Sequence, residues 1–242
     1  MVTELNVARA KYQQKLYDQA VADLESAVQR HTTSPSAPDA YLLMGTIYEQ
    51  QGKYDDAMAS YIELRDRFKA DIPHAAEALY RLAAATLQSK RKDRVDSARA
   101  SYAAIIAEYG DTSWAPRALG AKAGLEERER IKEMDSTVSA VAPAALASYR
   151  TLVTRYPDVA GVDIALQKMG DMYDDLKRYD LAVKAFEDLV AKYPTAASEA
   201  WWRIGELYDR RLKDPAKAKA AYAQVPATSS HYRDAQRRLT AK

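Results

Sequence analysis

Along the chain, small, aromatic and aliphatic residues fall at fixed offsets. The stretch KRYDLAVKAFEDLVAKYP, residues 177–194, places Ala182, then Phe186 four residues later, then Leu189 three further on, before Tyr193 and Pro194. The same spacing recurs at Ala20, Leu24, Ala27; at Ala57, Tyr61, Leu64; at Ala98, Tyr102, Ile105; at Ala145, Tyr149, Leu152; and at Ala218, Tyr222, Val225. Such offsets put all three side chains on one face of an α-helix, and the small residue lets a neighbouring helix approach closely. A second set precedes the first. Ala8, Gly45 and Gly170 stand twelve residues before Ala20, Ala57 and Ala182, while Gly205 precedes Ala218 by thirteen. The pattern predicts units of two helices that touch at small residues, with Tyr48, Tyr54, Tyr173, Tyr179, Trp201 and Tyr208 filling the space beside the contact.

The leading alanines are 37, 41, 47, 37 and 36 residues apart, so insertions concentrate in the middle of the chain. The predicted helix pairs cover 2–31, 38–69, 73–109, 115–156, 160–193 and 198–225, followed by a capping helix at 231–241. HTTSPSAP at 31–38 reads as a linker. The third pair contains QSKRKDRVD between its helices, and the fourth carries a long insertion at 126–143. Glu126 and Arg130, four apart, suit a solvated extension of a helix. Ser136 to Pro143 reads as a loop and as the internal site most open to proteases.

Composition narrows the function. Apolar residues make up 48% of 242, enough for a sizeable core, and 36 Lys plus Arg against 34 Asp plus Glu leave a formal charge of +2, which gives no global field for nucleic acid. The chain has no cysteine, which removes disulfides, thiolate nucleophiles and cysteine-ligated metals. Strict alternation is rare, and the periodicity is that of an all-α protein. No apolar run is long enough to span a bilayer, and the start MVTELNVARAKYQQ lacks the basic-then-apolar order of a signal peptide.

With the units aligned, the resemblance is to the tetratricopeptide repeat (TPR) family, whose pattern is an aromatic, Leu-Gly, Tyr, Gly-x-Tyr, Ala, an aromatic, Ala and a closing Pro. YLLMGTIYEQQGKYDDAMASYIEL is the best copy, and LQKMGDMYDDLKRYDLAVKAFEDLVAKYP is nearly as good. The resemblance implies one right-handed superhelical solenoid over 1–242, with about six helix-turn-helix repeats and a C-terminal capping helix. First helices would line its concave face. One subset of the family clamps acidic C-termini with an Asn that here would fall at Arg9, Thr46, Asp171 or Glu206, so that activity is not expected. The repeat endings TRYPD and AKYPT, with AEYGD as a weaker third, resemble the bacterial envelope subset, the outer-membrane-assembly lipoproteins and Tol-Pal-associated proteins. This likeness, over 98–226, implies the periplasm or the periphery of the outer membrane, with peripheral or lipoprotein attachment. A cytoplasmic adaptor is the alternative.

Catalytic chemistry has little to stand on. His31, His74 and His231 each sit in or beside a predicted turn with no second histidine at ligand spacing. A calcium loop from Asp171 fails, because Leu176 and Ala182 stand where Gly and Glu are needed. Phosphate loops and nucleophile elbows are absent. The basic run Lys90 to Arg94 reads as a solvated loop. The chain is therefore read as a non-enzymatic interaction scaffold in a larger complex, without cofactor or metal, or else as an accessory domain of an enzyme or secretion machine. The candidate partner site is acidic: Asp171, Asp174 and Asp175 on one first helix, and Glu199, Trp202, Glu206 and Asp209 on the next. Both sets are expected off the core face, as a groove for a basic helix or peptide with Trp202 as an apolar anchor.

Overall fold

The computed structural model describes residues 1–240. Its helices pair into hairpins: α1 (Val2–Gln13) with α2 (Tyr17–Arg30), α3 (Ala37–Gln50) with α4 (Tyr54–Arg67), and α5 (Ile72–Gln88) with α6 (Arg94–Glu108). α7 (Trp114–Arg128) is joined to α8 (Ala144–Arg155) through strands β1 (Lys132–Asp135) and β2 (Ala140–Pro143). α9 (Val162–Asp175) pairs with α10 (Tyr179–Lys192). α11 (Ala197–Glu206) continues as a π-helix at Leu207–Leu212 and pairs with α12 (Pro215–Ala223), and α13 (Tyr232–Thr240) closes the series. The expected cap reached 241, which lies outside the described residues. Contacts divide the chain into two compact units, Met1–Lys122 and Ala123–Lys242, with the boundary inside α7.

Within each unit the hairpins close on small residues. Gly45 faces the ring of Tyr61, and an added Cβ would lie 2.4 Å from it; at Gly170 the same atom would lie 2.5 Å from Phe186, and at Gly205 2.4 Å from Tyr222. Helix backbones therefore approach more closely here than any side chain allows, and the aromatic ring fills the gap. Ala20, Ala57, Ala98, Ala145, Ala182 and Ala218 are all buried. The extra residue between Gly205 and Ala218 has a physical home. The π-helix at Leu207–Leu212 absorbs it as a wider turn, and the Gly205–Tyr222 contact survives.

Four of the turns between paired helices hold one left-handed residue. Gly52 supplies it at φ 71°, but Lys15, Lys177 and Lys213 hold the same position at φ 60°, 58° and 57°. A side chain there costs free energy that glycine avoids. Two helices are also capped by side chains. The Asp71 carboxylate accepts from His74 N–H and that of Asp214 from Lys217 N–H at 3.0 Å, each beside a proline in the first turn.

The fourth hairpin departs from expectation. Ser136 to Pro143 is not an open loop: the segment folds as an antiparallel β-hairpin in which Glu133 pairs with Ala142 and Asp135 with Ala140. Its neck is closed by Ala144 N–H donating to Ile131 O at 2.9 Å. Val138 at the tip is buried, and Arg178 donates to its carbonyl. Asp135 is also buried. It accepts from Thr137 N–H at 2.8 Å and pairs with Arg150 at 3.1 Å. Glu126 is not solvated either: it is 1% exposed and accepts from Ser148 Oγ at 2.7 Å, while Arg130 has left the helix in a left-handed turn. The pairing partner of Glu126 is thus on α8, across the hairpin, and not one turn along its own helix.

Candidate functional site

The predicted acidic residues all lie in the second unit, but the structure does not leave them as an open carboxylate face. Arg203, on α11, bridges to α9: its Nη2 lies 3.0 Å from Asp171 Oδ1 and 3.3 Å from Asp174 Oδ2. Asp174 Oδ1 is buried without a hydrogen bond, with Arg211 Nε 3.7 Å away. Glu206 pairs with Arg210 at 3.0 Å and Asp209 with Arg238 at 3.1 Å, while Glu199 meets His231 at 3.0 Å. Arg203 and Arg211 thus tie α11 and its π-helical end to α9, while Asp209 and Glu199 tie them to α13 and the segment before it. Glu206–Arg210 lies within one helical segment, and together these pairs make a ladder. Exposed pairs of this kind contribute about 0–1 kcal/mol each, so their role is to set charge and register more than to stabilise.

Trp202 needs a correction. It was expected on the open face and is 7% exposed, packed with Tyr222, Val225 and Ala235, with its ring stacked on His231 at 4.9 Å and an interplanar angle of 7°. Gln167, in the same register one repeat earlier, is exposed. The difference is positional: α13 and the segment before it, through Ala235 and His231, cover this face of α11. Trp201, Tyr208 and Leu239 pack around the same cluster. Tyr222 lies deep enough that burial, with Asp209 beside its hydroxyl, pushes its phenol up to about 12.

Beside a small cavity of about 150 Å³ among Asp174, Arg203 and Glu206, a larger recess opens on one side of α9. It has a volume of about 400 Å³ and is bounded by Ile131 and Pro143 at the hairpin neck, by Met172 of α9, and by Asp171 and Asp175. Arg130, Lys132 and Lys168 stand on its rim, Lys168 held 3.4 Å from Glu127. Asp171 is raised by desolvation against the pull of Arg203, with Asp175 adding to the rise; its side chain is still 45% exposed, so the effect is damped by solvent. Two of the seven predicted residues, Asp171 and Asp175, therefore line this recess. Asp174, Glu199, Glu206 and Asp209 are engaged in the ladder, and Trp202 belongs to the core. The residues missed were Arg203, Arg210 and Arg211, whose signal was their position on the same helical segment as the carboxylates. Among the described residues, no group of three or more His, Asp or Glu could hold a metal, and no helix is long and apolar enough to cross a membrane.

Stacked helix hairpins closed by Gly–aromatic contacts define a helical-repeat protein. Family models described as tetratricopeptide repeat match residues 5–68 and 42–112, and again 164–196 and 199–228. The chain belongs to the tetratricopeptide repeat family. Among solved structures it is similar to the C-terminal part of a TPR repeat-containing protein from Cytophaga hutchinsonii, with 18% identity, 98% of this chain and 87% of that one covered, and a TM-score of 0.61. BtubC from P. vanneervenii (17% identity, 91% and 92% covered, TM-score 0.51) and PilF of Pseudomonas aeruginosa (12%, 97% and 96%, 0.50) share the fold. No curated protein matches the chain.

Proposed function

We propose that the chain is a protein-interaction scaffold whose second unit seats a partner segment in the recess between α9, the end of α7 and the neck of the hairpin. The observation that carries this reading is the recess itself: about 400 Å³, apolar at Ile131, Pro143 and Met172, and rimmed by charges of both signs. That volume lies in the range that binding sites use, and it is formed on rigid helices, so little ordering entropy is lost on the scaffold side. The charge pattern changes the partner from the basic helix or peptide expected to a segment of mixed charge. An apolar side chain enters beside Met172, a cation lies toward Asp175 and an anion toward Arg130 and Lys132. The endings TRYPD and AKYPT support placing the complex in a bacterial envelope. To test the reading, the wild-type chain and a Met172→Glu variant of unchanged helicity are used as baits in extracts of the source organism. A discrete partner set retained by the wild type and lost by the variant is expected; an identical set on both baits rules the recess out.

A further inference from the structure

A different surface lies wholly in the first unit, where two grooves flank α4. One, of about 340 Å³, runs between α2 and α4 over α3, with Tyr41, Met44 and the partly exposed Tyr48 as its floor. The other, of about 360 Å³, lies between α4 and α6 over α5 and is floored by Met58, Leu82 and Thr86. The crest between them is apolar and open: Ala59 borders both grooves, and Ile62, one turn on, is 38% exposed.

The charges around the first groove are unbalanced, whereas in the second Arg91 stands against Asp55. Glu25, Asp56 and Glu63 rim the first, and Asp55 stands at the end of the second. The two guanidiniums nearby are already engaged, Arg67 with Glu63 at 2.5 Å and Arg91 with Asp93 at 2.9 Å. Among the described residues no ion pair reaches Glu25, Asp55 or Asp56, and Glu25 accepts only a long hydrogen bond, 3.4 Å, from Tyr48 Oη. The phenol of Tyr48 registers the field: burial first, then Glu25, Asp56 and Asp18, raise it. A surface of this sign repels nucleic acid and anionic lipid.

We propose that this face of the first unit is a docking surface for a basic, amphipathic segment of a protein partner. Its Lys or Arg side chains lie toward Glu25 and Asp56, and its apolar side chains lie along Tyr48, Ala59 and Ile62. Charge complementarity selects the occupant: the apolar crest would accept any amphipathic segment, but only a cationic one relieves the unpaired carboxylates. The surface is separate from the recess of the second unit, and neither proposal depends on the other.

The chain's methionines make the test direct, because they fall at 1, 44, 58, 134, 169 and 172. Met44 and Met58 report the two grooves, and Met172 reports the recess. The full chain, labelled with ¹³C at the methionine methyls, is titrated with an acetylated 14-residue peptide carrying Lys and Leu at helical spacing, and with its counterpart in which Glu replaces Lys. The Lys peptide should shift the Met44 and Met58 resonances and leave Met134 and Met172 in place, and the Glu peptide should shift none. A Glu25→Gln, Asp56→Asn double variant of unchanged helicity should bind the Lys peptide about three- to tenfold more weakly at low salt, the effect of losing two exposed charge contacts, and the gap should close as salt rises. Shifts confined to Met172 or Met134, equal binding of the Glu peptide, or unchanged affinity in the double variant would each overturn the proposal.

Discussion

Replacing Gly170 with alanine pits two known effects against each other, and the packing decides the sign. In an exposed helix interior the change stabilises by about 1 kcal/mol, because alanine loses less backbone entropy. Here the new Cβ would sit 2.5 Å from Phe186 Cζ and 2.7 Å from both Cε atoms, in contact with a ring that is 1% exposed and has nowhere to move. Ordinary contact begins near 3.4 Å, so the overlap is close to 1 Å, and overpacking of this kind costs about 1–3 kcal/mol. Set against that gain of about 1 kcal/mol, the net expectation is a loss of up to about 2 kcal/mol. In a Phe186→Leu background the ring is gone, and Gly170→Ala should turn neutral or stabilising, giving a coupling of about 2 kcal/mol. Urea unfolding followed by the fluorescence of Trp201 and Trp202, in a Trp114→Phe background, reads the second unit by itself. If Gly170→Ala raises stability while Phe186 is present, the close contact between α9 and α10 is not there and the repeat register is wrong.

Three further outcomes follow from particular contacts. Trp202→Ala should cost about 3–5 kcal/mol, as truncation of a buried aromatic does, and amide exchange in α13 should accelerate most; an unchanged cap would return Trp202 to the open face. Lys177→Gly should stabilise by about 0.5–1 kcal/mol by removing a side chain from a left-handed turn, and Gly52→Ala should cost about as much, both read as urea midpoints. Asp135 is pulled upward by burial, but Thr137 N–H and Arg150 outweigh that and hold its carboxyl below the usual range. A depressed folded value means the stabilisation is full above the unfolded carboxyl's range and is lost as pH falls through the folded value. Asp135→Asn should therefore cost about 1–3 kcal/mol at neutral pH and flatten the stability profile below pH 4; equal acid sensitivity in both chains would show that the Arg150 pair contributes nothing.

The helix hairpins were legible because their closest contacts demand glycine or alanine opposite an aromatic, and that demand leaves a fixed spacing at Gly45–Tyr61 and Gly170–Phe186. The β-hairpin was not. KEMD and AVAP are four residues each, too short for alternation to show, and the contacts that order them reach across the chain from Arg150 and Arg178. Glu126 looked solvated because Arg130 stands four residues on, whereas Ser148, which donates to it, lies on α8, 22 residues away in sequence. The acidic residues of α9 and α11 were located on the right helices, yet the charge of the α9 face depended on Arg203 and Arg211, which reach across from the next repeat, and that of the α11 segment on Arg210 and Arg238. Trp202 illustrates the limit of reading one helix at a time, since its burial is decided by α13, a later element. The grooves beside α4 left no spacing signature at all, because their floors are the same tyrosine and methionine positions that build the core.

The claim that the second unit seats a partner at its recess is tested most directly by a photo-crosslinker placed there in living cells. With benzoylphenylalanine at position 172, irradiation of the source organism should yield one discrete covalent adduct between this chain and a protein partner, and the same group at the exposed position 180 should yield none. Absence of an adduct at 172, or equal adducts at both positions, would contradict the account.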